Sequence, residues 1–161
     1  DVAESARAVE AAGADGLSLV NTIRGAALDE RSLRPVLSTV AGGLSGPALK
    51  PVALAAVLAC AAAVDLPIVG MGGVATGRDA LELIAAGASA VALGTVLFSD
   101  PDAPSRVRAE LAAEAAALGV ENPFALRGVA QGDGGLFHNR GVENVEAPVR
   151  EKAAISTAIP S

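Results

Sequence analysis

Aromatic side chains are nearly missing from this chain: 161 residues hold three Phe and no Trp or Tyr. Base stacking as a mode of nucleic-acid binding is therefore poorly supported. The formal net charge of −6 also opposes a phosphate-rich polymer, which calls for a basic patch. One cysteine, Cys60, leaves no internal disulfide framework and no CxxC metal site. One histidine, His138, cannot build a multi-histidine metal cage. Long hydrophobic runs are lacking too. The longest, Val52 to Val64, stops at Asp65, short of the roughly 20 residues that span a bilayer. No secretory leader is visible, and the sequence opens on Asp1 rather than Met, which fits a processed or truncated start. The expectation is a soluble protein of a reducing, cytoplasmic compartment with no membrane and no nucleic-acid partner.

What is present is Ala, Val, Leu and Gly within a 52 % hydrophobic composition. That composition suits helices packed closely against short, doubly buried strands. Residues Val2 to Ala12 have helical spacing, Gly13 is a C-terminal stop, and Gly16 to Thr22 reads as a strand. The same grammar returns: Asp79 to Ala86 is helical, Gly87 stops it, and Ala90 to Thr95 reads as a strand. Superposing Ala11-Ala12-Gly13-Ala14 on Ala85-Ala86-Gly87-Ala88 sets Asn21 opposite Thr95, each just past its strand. A helix over Pro51 to Val64 and a strand over Pro67 to Met71 lie between, and a last helix runs from about Pro104 to Leu118.

Alternating helices and short strands predict an α/β fold with a parallel sheet. Three strands do not distinguish an open sheet from a barrel. A complete (β/α)8 barrel takes about 250 residues, so a barrel here would be a part of one. The stretch from Ile23 to Pro47 breaks the rhythm as a long, charged loop, with Asp29 and Glu30 read as a solvated pair. From Glu121 to Ser161 the pattern dissolves into a weakly ordered tail.

Three glycine-containing turns carry the chemistry: Gly42 to Gly46, Gly70 to Gly73, and Gly94-Thr95. Parallel strands end on one face, so these turns converge. Glycine lets backbone N–H groups approach an anion closely. Thr76 to Asp79 forms a capping box at the start of the next helix, where a phosphate gains from unpaired amides and the helix dipole. Phosphate binding competes with a plain turn function for each glycine, and the paired turns favour phosphate. Asn21 and Thr22 offer an amide and a hydroxyl to a heterocycle or carboxylate, or else cap the following loop. Cys60, amid Leu58, Ala59 and Ala61, is a packing residue, and Met71 packs beneath its turn. His138 falls in the glycine-rich tail, and Gly132-Asp133-Gly134-Gly135 lacks the preceding strand of a phosphate loop.

The motifs Leu19-Val20-Asn21-Thr22, Gly42 to Pro51, Gly70 to Val74 and Leu93-Gly94-Thr95 occur in order. Over about residues 1–120 they resemble the C-terminal part of dihydroorotate dehydrogenase. Ser45-Gly46-Pro47 is most similar to the form that works with an iron–sulfur FAD subunit and NAD. The resemblance implies a C-terminal portion of a (β/α)8 TIM barrel that binds FMN and oxidises dihydroorotate to orotate in pyrimidine biosynthesis. It implies Val20, Gly46, Gly72, Gly73, Gly94 and Thr95 as FMN contacts, and Asn21 and Thr22 as substrate contacts.

The family's base, a cysteine in the NAD-linked form, and a flavin-contacting lysine belong upstream of Asp1, and Cys60 is in the wrong place to replace the base. The resemblance thus implies a missing N-terminal barrel half, or a homo-oligomer, as a partner. Two alternatives stay open. One is a dihydropyrimidine dehydrogenase-like flavin domain, and the other is a non-catalytic phosphate-binding partial barrel.

Overall fold

A computed structural model describes residues 1–132. The elements run α1 (Val2–Ala11), β1 (Leu17–Leu19), β2 (Ile23–Gly25), β3 (Gly42–Leu44), α2 (Lys50–Ala63), β4 (Ile68–Met71), α3 (Gly77–Ala85), β5 (Ala90–Ala92) and α4 (Ala103–Ala117). Strands β1, β4 and β5 form a parallel sheet in that order, with Leu19 opposite Gly70 and Gly70 opposite Val91. The α/β class and the order of its αβ units are those the sequence predicts. Gly13 and Gly87, the two repeated stops, both take positive φ, +89° and +121°, which a side chain would resist.

The strands are shorter than the apolar runs. Among the described residues β1 and β5 each have one neighbour, and a ladder lasts only while a partner accepts its hydrogen bonds. After β5 the chain leaves the sheet for a 3-10 turn, Thr95–Phe98.

Helices cover one face of the sheet. Ile68 and Gly70 of β4 are buried, while Val69 and Met71, pointing the other way, are only half-buried. The core joins Ala53, Val57 and Cys60 of α2 to Ile68, Ala80, Leu83 and Val107. Burying a side chain such as Leu83 or Val57 contributes about 1.5–3 kcal/mol. Helices α3 and α4 meet almost backbone to backbone, because a Cβ on Gly77 would overlap the Leu111 amide nitrogen. Cys60 is the packing residue expected, and burial pushes its thiol pKa up. Ser18, Val69, Met71, Ala90 and Ala92 form the opposite face, and none of them is buried. Among the described residues no helix is long and apolar enough to cross a membrane.

Two expectations need correction. The Ile23–Pro47 segment is not a plain loop: Ile23 pairs with Leu44 and Gly25 with Gly42 in an antiparallel hairpin. Within it, the Asp29 carboxylate accepts from the Ser32 amide and hydroxyl, both at 2.7 Å. Asp29, exposed like Glu30 as expected, also shapes a turn, and the Ser32 amide above all holds its carboxyl below the ordinary value. Nor does order end at Val120. Pro123–Leu126 and Val129–Gln131 form 3-10 turns, tied down by Gly128 N–H to Ile84 O, Arg127 to Ser89 Oγ and Gln131 to Ala86 O. His138 and the Asp133-Gly134-Gly135 run lie outside the described residues.

Candidate functional site

The ends of β1, β4 and β5 and the segment before α2 wall one cavity of about 560 Å³. Val20, Asn21, Thr22, Gly46, Gly72, Gly73, Gly94 and Thr95 all line it. Parallel strands bring their C-terminal ends to one side, and so residues far apart in sequence meet there. Met71 lines the cavity as well, contrary to the expectation that it packs beneath its turn, because alternation along β4 puts it on the uncovered face with Val69.

The two glycine turns differ in build. Gly73 has φ +75°, and a Cβ there would lie 2.6 Å from the Lys50 nitrogen and 2.9 Å from Gly46 O. The turn after β4 is therefore pressed onto the segment leading into α2, which sets Gly46 beside Gly73. A Cβ on Gly72 would meet Ala53 Cβ at 3.0 Å and Val20 Cγ2 at 3.1 Å. A Cβ on Gly94 would meet nothing within 4 Å. The amides of Gly72, Gly73, Gly94 and Thr95 have no hydrogen-bond partner among the described residues. They leave a set of donors in the cavity wall, the kind of concavity that accepts an anion.

The start of α3 behaves otherwise. Its capping box is present: Thr76 Oγ1 accepts from the Asp79 amide at 3.2 Å, and Asp79 accepts from the Thr76 amide at 2.9 Å. Asp79 also accepts from the Ala75 amide at 3.0 Å, and Glu110 from the Gly77 amide at 2.7 Å. Side chains thus already take the Gly77 and Asp79 amides, so fewer donors of this helix are left for a phosphate than the sequence led us to expect. Lys50 Nζ closes the cluster at 2.7 Å from Asp79 and 2.9 Å from Glu82. Burial pushes the Asp79 pKa up, but Lys50, the Ala75 amide and Thr76 together outweigh that and hold it below the ordinary value.

Asn21 Oδ1 accepts from the Thr22 amide at 2.7 Å, and both residues are exposed at the cavity. The side chain of Thr22 fills the space that a Cβ on Gly43 would need, its own Cβ 2.7 Å from that position. Lys50, Arg106 and Glu110 escape a reading of the sequence. Lys50 meets Asp79, Glu110 the Gly77 amide and Arg106 the Ala75 carbonyl across about thirty residues, and the local signals were the capping pattern Thr76 to Asp79 and the i,i+4 spacing of Arg106 and Glu110.

Over residues 1–114 the chain matches the model of the family described as Dihydroorotate dehydrogenase. The chain belongs to that family. It is 57 % identical over 107 residues to a "Dihydroorotate dehydrogenase B (NAD(+)), catalytic subunit" of Desulforamulus reducens, covering 66 % of this chain and 35 % of the relative. A protein of the same description from Geobacter sp. strain M21 is 49 % identical over 131 residues, 81 % of this chain and 43 % of the relative. The fold is similar to that of DHODH from Eimeria tenella in complex with ferulenol, with TM-score 0.65 and 30 % identity over 81 % of this chain and 35 % of the other. The chain thus spans about two fifths or less of the length of these dihydroorotate dehydrogenases. Its three αβ units are a portion of the barrel that the sequence led us to expect.

Proposed function

We propose that this chain supplies the FMN-phosphate site and part of the substrate site for oxidation of dihydroorotate to orotate, the redox step of pyrimidine (UMP) biosynthesis. One observation carries the reading: eight residues from four separate stretches of sequence wall a single cavity. The residues fit the cofactor. Four amides without partners at Gly72, Gly73, Gly94 and Thr95 suit a phosphate, and the open space before Gly94 gives it room. When bound, FMN supplies the hydride acceptor.

The chain's own residues would then bind and orient. Val20 and Gly46 contact the flavin from the first and second segments of the wall. Asn21 and Thr22 offer an amide and a hydroxyl to the pyrimidine, and hydrogen-bonding groups of that kind discriminate strongly because they are left unpaired by the wrong ligand. Val20, Met71 and Leu93 give part of the cavity an apolar lining suited to the flat face of a ring. No described residue of this site is assigned as the base. Cys60 is buried in the helical core, away from the cavity lining.

The naming of the relatives supports an NAD-linked route. In this reading residues 1–120 belong to the catalytic barrel, and electrons pass to an iron–sulfur FAD subunit in the cytoplasm. The test uses the full-length polypeptide containing these residues. It is expected to purify yellow, release FMN on denaturation, and bleach when dihydroorotate is added without oxygen. Folded protein that carries no FMN, or whose flavin dihydroorotate leaves oxidised, refutes the proposal.

A further inference from the structure

Arg106 sits on α4, outside the cavity lining, yet it bonds to the segments that follow both pairs of unpartnered amides. Its Nη2 donates to the Ala75 carbonyl at 3.1 Å, in the turn that follows Gly72 and Gly73. Its Nε donates to Asp100 at 2.8 Å, at the end of the segment that begins with Gly94 and Thr95. Asp100 closes that segment, because its own amide donates to Val96 O at 2.9 Å. The remaining arm, Nη1, donates to Glu110 at 2.8 Å, and Glu110 in turn accepts from the Gly77 amide at 2.7 Å. Ala75, which Arg106 reaches directly, and Ser99, next to Asp100, both line the cavity.

A guanidinium is a planar fork and can serve three acceptors in fixed directions at once. Here the acceptors are one turn, the other turn, and the helix that anchors them. The arginine and its carboxylate partners are each about one-third exposed or more, and ion pairs so placed add little stability individually. The consequence of the fork is geometric: it ties the segment after Gly72-Gly73 to the segment after Gly94-Thr95.

We infer that Arg106 is a positioning residue, spacing the Gly72-Gly73 and Gly94-Thr95 amides so that one phosphate group can engage both. The inference rests on the FMN-phosphate reading proposed above. A phosphate bound by amides on two independent turns loses affinity when their spacing wanders, because part of the binding energy then goes into ordering them. A ligand without the phosphate does not feel that loss.

The test is titration of FMN and of riboflavin, which lacks the phosphate, into flavin-free full-length polypeptide containing these residues. Fluorescence quenching reports binding in the parent, Arg106→Met and Arg106→Lys, alongside each variant's melting temperature. In Arg106→Met the preference for FMN over riboflavin is expected to fall about tenfold, the worth of one to two aligned hydrogen bonds. Riboflavin binding stays near the parent value, and the melting temperature moves little. Arg106→Lys, which keeps the charge without the fork, recovers part of the preference. An unchanged preference in both variants overturns the inference alone, and so does an equal loss for both ligands, which would make Arg106 merely structural. A parent that binds riboflavin as well as FMN overturns the inference together with the phosphate site beneath it.

Discussion

The glycines of the site make a graded experiment, because the structure assigns three of them different costs. Gly94 has negative φ and open space where a Cβ would go. Gly94→Ala, opposed by no neighbouring atom, should cost the least of the three, about 1 kcal/mol or less. Gly46 has φ +80° but no atom within 4 Å of its Cβ position. Gly46→Ala then costs the backbone conformation alone, φ +80° with ψ −171°, a region almost confined to glycine, about 1–3 kcal/mol. Gly73 combines φ +75° with a Cβ 2.6 Å from the Lys50 backbone nitrogen. Backbone cannot rotate aside as a side chain can, so about 1–3 kcal/mol of overpacking adds to the conformational cost. Gly73→Ala should lose roughly 2–5 kcal/mol by this sum.

Denaturant unfolding of the three alanine variants reads the order directly: Gly94 least, Gly46 next, Gly73 most. Flavin content adds a second axis. Gly94→Val is expected to fold normally and lose FMN, since its side chain enters space that protein atoms do not use. Gly72→Val serves this purpose poorly, because its side chain would press on Ala53 and Val20 and damage the fold itself. A Gly73→Ala protein as stable as the parent would refute the close approach of the turn to α2. A Gly94→Val protein with full flavin content would remove that turn from the phosphate site.

Asn21→Ala should leave stability and FMN content near the parent, since the residue is exposed, while reduction by dihydroorotate slows by about tenfold or more; stopped-flow bleaching at the parent rate would make Asn21 only a cap for the next turn. The Asp79 cluster predicts an acid limb. The folded-state pKa of Asp79 lies below its ordinary 3.8, so its contribution is full above that value and disappears as pH falls through the lower, folded one. Asp79→Asn should therefore flatten the dependence of melting temperature on pH below about 4, while costing about 1–2 kcal/mol at neutral pH as the cap weakens. An unaltered acid limb in Asp79→Asn would assign the pH dependence to other carboxylates.

Much of the architecture was legible because its signals are local. Gly13 and Gly87 mark helix ends wherever they stand, since only glycine adopts their positive φ cheaply. Thr76 and Asp79 find each other across a single turn. The repeat around those glycines set Asn21 and Thr95 at equivalent strand ends, and parallel pairing makes equivalent ends neighbours in space. Composition and linear order therefore determined the α/β class, the sequence of αβ units and the convergence of the glycine turns, but not the place of Met71 in the cavity wall.

Tertiary contacts decided the rest. The β2–β3 hairpin closes across a loop in which neither strand shows an alternating pattern, and its register appears only when Ile23 meets Leu44. Order beyond Val120 depends on Arg127 reaching Ser89 and Gln131 reaching Ala86, partners brought near by the packing of α3. Glycine is one letter with several physical roles. Gly73 is needed for a close backbone approach, while Gly94 leaves open space in front of it, and only the neighbours that folding supplies separate the two. The same holds for Arg106, an ordinary surface arginine on α4 until Ala75 and Asp100 are brought within reach of one guanidinium.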